Sequence, residues 1–246
     1  MNVANELERQ ASQFALRHER FLLALRGVMS EAIGGKDWMT QRGIGQVRRQ
    51  GRELGRQHFL DQRESMRKLA DDLVSGLCSG AKTSSVEGRA RASQHAASLL
   101  KESWASLQAQ IERDVLAAER QVRHMAMRVR MLADNQGWSL SASAIAVREQ
   151  TQGDPRFRFV DRSGRAWGSQ RYVRTLLRAL LFELHNECTM ILLADMGFDS
   201  AVVRYPEPHR FDGIIISLIG HDGLPTYDQL RDDVFHPNSP ALISHR

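Results

Sequence analysis

The chain has 246 residues, of which 42% are hydrophobic and 26% charged, so it can bury a core and has the composition of a globular protein. Its longest apolar runs, at 176–181 and 214–219, fall far short of the roughly 20 residues that span a bilayer. The N-terminus also lacks the basic and apolar regions of a signal peptide, so we expect neither a membrane span nor secretion.

Positive charge is concentrated toward the N-terminus. Residues 1–150 hold 23 Lys+Arg against 17 Asp+Glu, a net of +6, whereas residues 151–246 hold 11 against 12, a net of −1. Nearly all of the cations are arginines, which suit bidentate contacts with phosphate or carboxylate. Two interpretations stay open: a solvated helical surface with an arginine bias, and a protein that works beside nucleic acid.

The two cysteines, Cys78 and Cys188, are far apart in the sequence and do not form a Cys-x-x-Cys pair. We expect two reduced, partly buried thiols in a protein assembled in the cytosol. A disulfide between them is the alternative.

Long helices are predicted for the first half of the chain. Apolar residues recur there at steps of three and four, which is the mark of one apolar helix face. The first helix should end at Gly34 and Gly35, and the second near Gly80, followed by a connector in which Ser84 or Ser85 caps the next helix. The first of these apolar faces consists of Phe14, Phe21, Leu22, Leu25, Val28, Met29 and Ile33.

The strongest helical signal runs from residue 86 to 132, with apolar steps close to those of a heptad seam. If it is unbroken, this helix has about 45 residues and is roughly 70 Å long. The alternative is a break into two helices that pack on each other. The apolar positions are Leu100, Trp104, Leu107, Ile111, Val115, Val122, Met125, Val129 and Leu132.

The pattern changes after the turn-forming residues 151–155. We predict a hairpin over 157–167, a helix over 170–196 capped by Ser169, strands at 200–205 and 213–218, and a turn of helix within 225–233. The predicted fold class is α+β, mainly α, with a bundle or coiled-coil-like helical region at 1–150. A small α+β domain at 151–246 should follow it.

Residues of the last third resemble the C-terminal domain of tailed-phage minor capsid (head-morphogenesis) proteins, the Mu F-like group. The resemblance covers about residues 157–240, where the order and spacing of the matching residues carry it. It opens with an Asp-x-x-Gly-Arg-x-Trp hairpin and closes with an Asp-Gly-x-x-x-Ser-Leu-x-Gly stretch and a His-Pro-Asn turn. The matching residues, which the resemblance implies to be structural, are Asp161, Gly164, Trp167, Tyr172, Arg178, Asn186, Asp212, Gly213, Ser217, Gly220, His236, Pro237 and Asn238.

Membership of this group implies a structural virion protein present in several copies inside the phage head. Its implied partners are the portal or major capsid protein and packaged double-stranded DNA, and it would lie in the host cytoplasm during assembly. The chain departs from the group in lacking cysteines before Asp212 and after Asn238, which resemble a metal site in many relatives. His209, His221, His236 and Asp212 remain there, and we expect no metal and no cofactor.

Two other functions stay open. The His/Asp residues of the C-terminal region are of the types that a nuclease-like or toxin-like enzyme would use. The helical half also fits a DNA-binding scaffold of non-viral origin, although no helix-turn-helix or zinc-finger pattern is present. Because no phosphate-binding loop, Gly-x-Ser-x-Gly, His-Glu-x-x-His or Cys-based motif occurs, we predict no enzyme activity and assign no catalytic residue.

Two expectations concern side-chain roles in the C-terminal region. Trp167 should be a buried core anchor against the helix at 172–193. Arg178 and Asn186 are eight residues apart, so they lie on roughly one helix face. Two interpretations stay open: they hydrogen-bond the loop at 209–213 and hold it against the helix, or they are exposed to solvent.

Overall fold

The computed structural model describes residues 3–35, 37–150, 157–160, 164–220 and 223–245. The predicted fold class is confirmed, since long helices fill the N-terminal part and a small three-stranded antiparallel sheet lies near the C-terminus. In chain order the elements are α1 (Val3–Gly34), α2 (Gln41–Gly80), α3 (Val86–Gln136), α4 (Leu140–Gln150), β1 (Arg158–Val160), β2 (Ala166–Gly168), α5 (Ser169–Asp195), β3 (Ser200–Arg204), β4 (Ile215–Ser217) and β5 (Leu242–Ser244).

Helix α3 is continuous over 51 residues, about 76 Å at 1.5 Å per residue, so the alternative of two packed helices is wrong. Its start is fixed by the predicted cap, because the Ser85 hydroxyl accepts the Gly88 N–H at 2.9 Å. The helix ends one residue before Gly137, whose φ is +64°. No strand occurs among the described residues before 135, as predicted.

The apolar stripe predicted for α3 is largely buried, with Leu107, Val122 and Val129 each 0% exposed. Alanines share this burial. Small side chains on a buried face let neighbouring helices approach closely. The buried alanines of α3 are Ala92, Ala96, Ala118 and Ala126.

The C-terminal elements follow the prediction except for one strand. β1 and β2 form the predicted antiparallel hairpin, and β3 pairs with β4 on one side. The other side of β3 pairs with β5, which was not predicted, so the strand order is β4-β3-β5. The predicted turn of helix within 225–233 is a short 3₁₀ helix at Asp228–Leu230.

The chain folds into two compact units, each built from separate stretches of sequence. Unit 1 comprises Met1–Ala15, Gln62–Leu107 and Val173–Arg246, and unit 2 comprises Leu16–Asp61 and Gln108–Tyr172. The unit boundaries fall inside α1, α2, α3 and α5, whereas the sequence suggested one division near residues 151–155. The organisation into domains at 1–150 and 151–246 stays a prediction. No helix within the described residues is apolar over a length that would cross a bilayer.

Unit 1 contains the three-stranded sheet and its core. The buried residues of this core come from α5, the strands and the loops between them, and they are Leu193, Ala201, Val203, Ile216, Tyr227, Val234, Ala241 and Ile243. Both cysteines lie in this unit as free thiols, as predicted. Burial raises the pKa of Cys188 to about 12, so this side chain is a neutral thiol that contacts the Ala92 carbonyl at 3.5 Å.

Unit 2 packs α2 closely against its neighbours at two glycines. A Cβ on Gly55 would lie 2.8 Å from Ile111 Cγ2, and one on Gly51 would lie 3.0 Å from Leu25 Cδ1. These distances leave no room for a side chain without movement of stiff, buried neighbours. The two glycines therefore set the spacing of the helices in this unit.

Substitution of Gly55 tests this close packing. We expect Gly55→Val to lower the free energy of unfolding by about 1–3 kcal/mol, because its side chain overpacks the contact with Ile111. Gly76→Ala is the matched control on the same helix, since nothing lies within 4 Å of its Cβ position. That change should raise stability by about 0.5–1 kcal/mol through helix propensity. Urea denaturation measures both, and equal effects would contradict the packing.

Candidate functional site

Arg178 on α5 joins three segments of unit 1. Its Nε forms an ion pair with Glu8 of α1, and its Nη1 donates to the carbonyl oxygens of Pro237 at 2.8 Å and Ser239 at 3.1 Å. The guanidinium also lies over the Phe182 ring, 4.7 Å from the centroid. Charge-assisted bonds to a planar, permanently ionised group hold the His-Pro-Asn segment to α5.

Asn186, two turns further along α5, binds the outer edge of β5. Its Nδ2 donates to the Ala241 carbonyl at 3.0 Å, and its Oδ1 accepts the Ile243 N–H at 2.9 Å. Since β5 is an edge strand, the amide takes the place of a missing neighbouring strand. Asn186 is only 2% exposed, so these bonds are made in a desolvated environment.

The expected partner of Arg178 and Asn186 was wrong. Both side chains lie on one face of α5 as predicted, but they bind the segment 237–243 instead of the loop 209–213. The reason is the unpredicted strand β5, whose backbone occupies the space along this helix face.

The Asp212-Gly213 pair closes the connection between β3 and β4. Asp212 Oδ1 accepts the Tyr205 N–H at 3.0 Å, and the Gly213 N–H donates to the Val203 carbonyl at 2.9 Å. Gly213 has a φ of +83°, which an L side chain rarely adopts. The two residues therefore stabilise a turn, as expected for an Asp-Gly sequence.

The Tyr205 hydroxyl then links this hairpin to the C-terminal segment. It donates to the Val234 carbonyl at 3.2 Å and lies 3.2 Å from the Ser239 hydroxyl. Ser239 is 4% exposed, and its backbone carbonyl is one of the two that Arg178 binds. The motif residues of the hairpin and of the helix therefore converge on one segment.

The other predicted motif residues are spread over a strand, a helix and several turns. Ser217 is buried at the end of β4, where its N–H donates to the Pro225 carbonyl at 2.9 Å. Gly164 and Gly220 have φ values of +79° and +75°. Tyr172 is half-buried, with the Arg113 guanidinium 5.4 Å from its ring centroid. Asp161 lies outside the described residues.

Trp167 differs from its prediction as a buried core anchor. Its side chain is only half-buried, and the Arg171 guanidinium lies 5.3 Å from a ring centroid. The ring therefore makes a cation–π contact while part of it stays exposed to solvent. Truncation of Trp167 should cost less than the roughly 3–5 kcal/mol of a fully buried aromatic residue.

The C-terminal histidines lie in exposed turns. His209 stacks on the Tyr205 ring with centroids 3.9 Å apart, and His236 Nδ1 accepts the Asn238 N–H at 3.2 Å. His221 lies outside the described residues. Within the described ranges, no three histidine, cysteine, aspartate or glutamate side chains come close enough together to hold a metal ion.

A buried polar network in unit 2 was not predicted. Ser169 Oγ donates to Asp114 Oδ2 at 2.6 Å, and His18 Nε2 lies 3.1 Å from the same oxygen and 2.8 Å from Ser169 Oγ. Gln110 Nε2 donates to both Asp114 and Ser169, and His18 Nδ1 lies 3.1 Å from His58 Nε2. The network thus joins α1, α2, α3 and the start of α5 within this unit.

The residue types are those of a hydrolase triad, but the connections are different. A nucleophilic serine gives its proton to one histidine nitrogen while the carboxylate holds the other. Here both Ser169 and Asp114 contact His18 Nε2, and the serine proton points to the carboxylate. The three side chains are also at most 3% exposed, so no substrate reaches them. The arrangement pairs the buried His18, Asp114 and Ser169 side chains and has the geometry of a structural network.

One sequence signal marks this network. His18 falls between Phe14 and Phe21 on the apolar stripe of α1, and Asp114 follows Ile111 on that of α3. A polar residue on an apolar stripe must find a partner in the core. This rule identifies these two members, but it does not say which side chains they meet.

Comparison of the chain with protein-family models, with curated proteins and with solved structures found no match. The resemblance to phage minor capsid proteins therefore rests on the residues themselves.

Asn186→Ala tests the anchoring of β5. We expect the free energy of unfolding to fall by about 1–3 kcal/mol for each buried group left unpaired, here the Ala241 carbonyl and the Ile243 N–H. Asn238→Ala is the matched control, since Asn238 is exposed and alanine keeps the backbone N–H that His236 Nδ1 accepts. It should change stability by less than about 0.5 kcal/mol. Guanidinium denaturation measures both variants, and equal effects would refute the anchoring role.

His58 should make stability depend on pH. Burial, with the charge of neighbouring His18, lowers the pKa of His58 to about 3 from an ordinary 6.5. Between these two pKa values His58 binds a proton in the unfolded state but not in the folded state. The contribution of His58 to the free energy of unfolding is therefore complete above pH 6.5 and is lost as the pH falls toward 3.

Urea denaturation between pH 4.5 and 7.5 tests this dependence. Wild-type stability should fall with pH more steeply than that of His58→Gln, by up to about 1.4 kcal/mol per pH unit. The comparison isolates His58, because other groups titrate in both proteins. Parallel curves would contradict the assignment.

Proposed function

We propose that the chain is a structural minor capsid (head-morphogenesis) protein of a tailed phage, bound to the portal or inner capsid beside packaged DNA. The observation that carries the proposal is the use of the motif residues. The side chains of Arg178, Asn186 and Asp212 all form hydrogen bonds with the backbone of the C-terminal region. Residues with this role favour an assembly scaffold over a reaction site.

Charge adds support when it is counted by compact unit. Unit 2 holds 20 Lys+Arg against 12 Asp+Glu, a net of +8, and unit 1 holds 14 against 17, a net of −3. These values sum to the +5 of the whole chain. A strongly basic unit suits a protein beside DNA, because phosphates attract it without regard to sequence.

Co-expression with the portal and major capsid proteins of the same phage genome tests the proposal. We expect the chain to co-purify with the portal and to occur in several copies in purified virions. Asn186→Ala should reduce this incorporation, and Asn238→Ala should leave it unchanged. Virions that lack the chain, with no portal complex formed, would refute the structural role.

The enzymatic alternative has its own test. A nuclease built on the C-terminal residues would degrade plasmid DNA and lose that activity in His236→Ala. We expect no degradation, because the described histidines of this region lie in separate turns without a metal-binding arrangement. Activity that depends on His236 would replace the structural proposal.

A further inference from the structure

In unit 2, arginine side chains connect a segment of α2 with an antiparallel segment of α3. Arg52 of α2 binds Glu112 of α3 at 2.6 Å, and Arg130 of α3 donates to the Met39 carbonyl, just before α2, at 3.0 Å. Moving along α3 from 112 to 130 therefore corresponds to moving back along α2 from 52 toward its start. The paired segments extend about 27 Å, from 18 residues at 1.5 Å each.

The few carboxylates of these segments already have partners within unit 2. Glu119, which is 7% exposed, binds Arg123 at 2.8 Å and lies 3.6 Å from Arg48 Nε, so two guanidiniums share one carboxylate. Asp114 is taken up by the buried network. No other acidic residue occurs in 41–52 or 113–133, so no exposed carboxylate interrupts the arginines there.

Four further arginines face outward beside this row. Arg42 and Arg49 are seven residues apart on α2, and Arg113 and Arg120 are seven apart on α3, so each pair lies on one helix face. All four are exposed. We call the whole set the arginine ridge; it comprises Arg42, Arg48, Arg49, Arg52, Arg113, Arg120, Arg123 and Arg130.

The surface of the ridge is basic and mostly polar. Among described residues, no large hydrophobic side chain is exposed in 41–52 or 112–126, whereas Met127 and Met131 are exposed beside Arg130. A protein interface has an apolar, desolvated centre, whereas a nucleic-acid interface is polar and positively charged. A length of about 27 Å also matches about eight base pairs of duplex at 3.4 Å each.

We propose that the arginine ridge is a binding surface for the phosphate backbone of double-stranded DNA. Binding is independent of sequence, since the ridge offers guanidiniums to phosphates along its length. That the DNA is packaged phage DNA rests on the proposed function; the binding of duplex does not.

Fluorescence anisotropy of the full chain with a labelled 30-base-pair duplex of mixed sequence tests the ridge. The test variant is the triple Arg42→Gln, Arg49→Gln, Arg120→Gln, which removes outward-facing cations that make no ion pair with a described carboxylate. The control is Lys68→Gln, Lys101→Gln, Arg204→Gln, three exposed cations of unit 1 that lower the net charge equally. Circular dichroism verifies that both variants keep their helix content.

Wild type should bind at 50 mM salt and weaken steeply as salt rises. Each lost phosphate contact lowers the slope of log K against log salt by about 0.9, so the ridge variant should lose about 2.7 of that slope. Its affinity at 50 mM should fall by about two to three orders of magnitude, at roughly tenfold per contact. The control triple should stay within a few-fold of wild type, and the corresponding triple Arg→Lys variant should retain most of the binding.

Three results would overturn the ridge. If the wild-type protein binds no duplex at 50 mM salt, double-stranded DNA is not its ligand. Equal losses in the ridge and control triples assign binding to net charge and not to this surface. A portal complex that the ridge triple abolishes, without any DNA binding, makes the occupant an acidic protein face. Ridge-dependent DNA binding in a chain that never enters virions would instead refute only the proposed function.

Discussion

The outer edge of β5 is the constraint on which the C-terminal part of the structure depends. An edge strand packed against a helix loses water from its unpaired backbone groups, so those groups need protein partners. Asn186 supplies both a donor and an acceptor to this edge, and Arg178 binds the two carbonyls just before it. Because β5 pairs with β3 on its other side, the same bonds also position the sheet and its buried residues.

The sequence predicted the helices well because their signal is local. Steps of three and four identify a buried face, and capping serine and glycine residues mark its ends, as Ser85 and Gly137 show. β5 was missed although β1, β2 and β4 are equally short, because neither an alternating pattern nor a hairpin turn marks residues 242–244 in the sequence. Helix periodicity placed Arg178 and Asn186 on one face but gave no information about the segment that this face meets.

The buried network in unit 2 illustrates the same limit. The network residues His18, Asp114 and Ser169 are distant in sequence. Taken singly, each of them looks like an ordinary polar residue of a helix. Their meeting depends on the packing of three helices, which the two tight glycines Gly51 and Gly55 help to set. Composition alone would suggest catalysis, whereas the shared contact at His18 Nε2 pairs the buried side chains of His18, Asp114 and Ser169 with one another. Geometry therefore decides between the two interpretations.

The net charge is divided more unequally between the two compact units than between the two parts of the sequence. It is +8 for unit 2 and −3 for unit 1, against +6 for residues 1–150 and −1 for residues 151–246. Many like charges on one unit repel each other and oppose folding at low ionic strength. Carboxylates such as Glu119, which serves two arginines, offset only part of this repulsion. A polyanion that binds only the folded unit would relieve the remainder and stabilise it by mass action. The surplus of arginine thus weakens the isolated protein and would favour a complex with a polyanion.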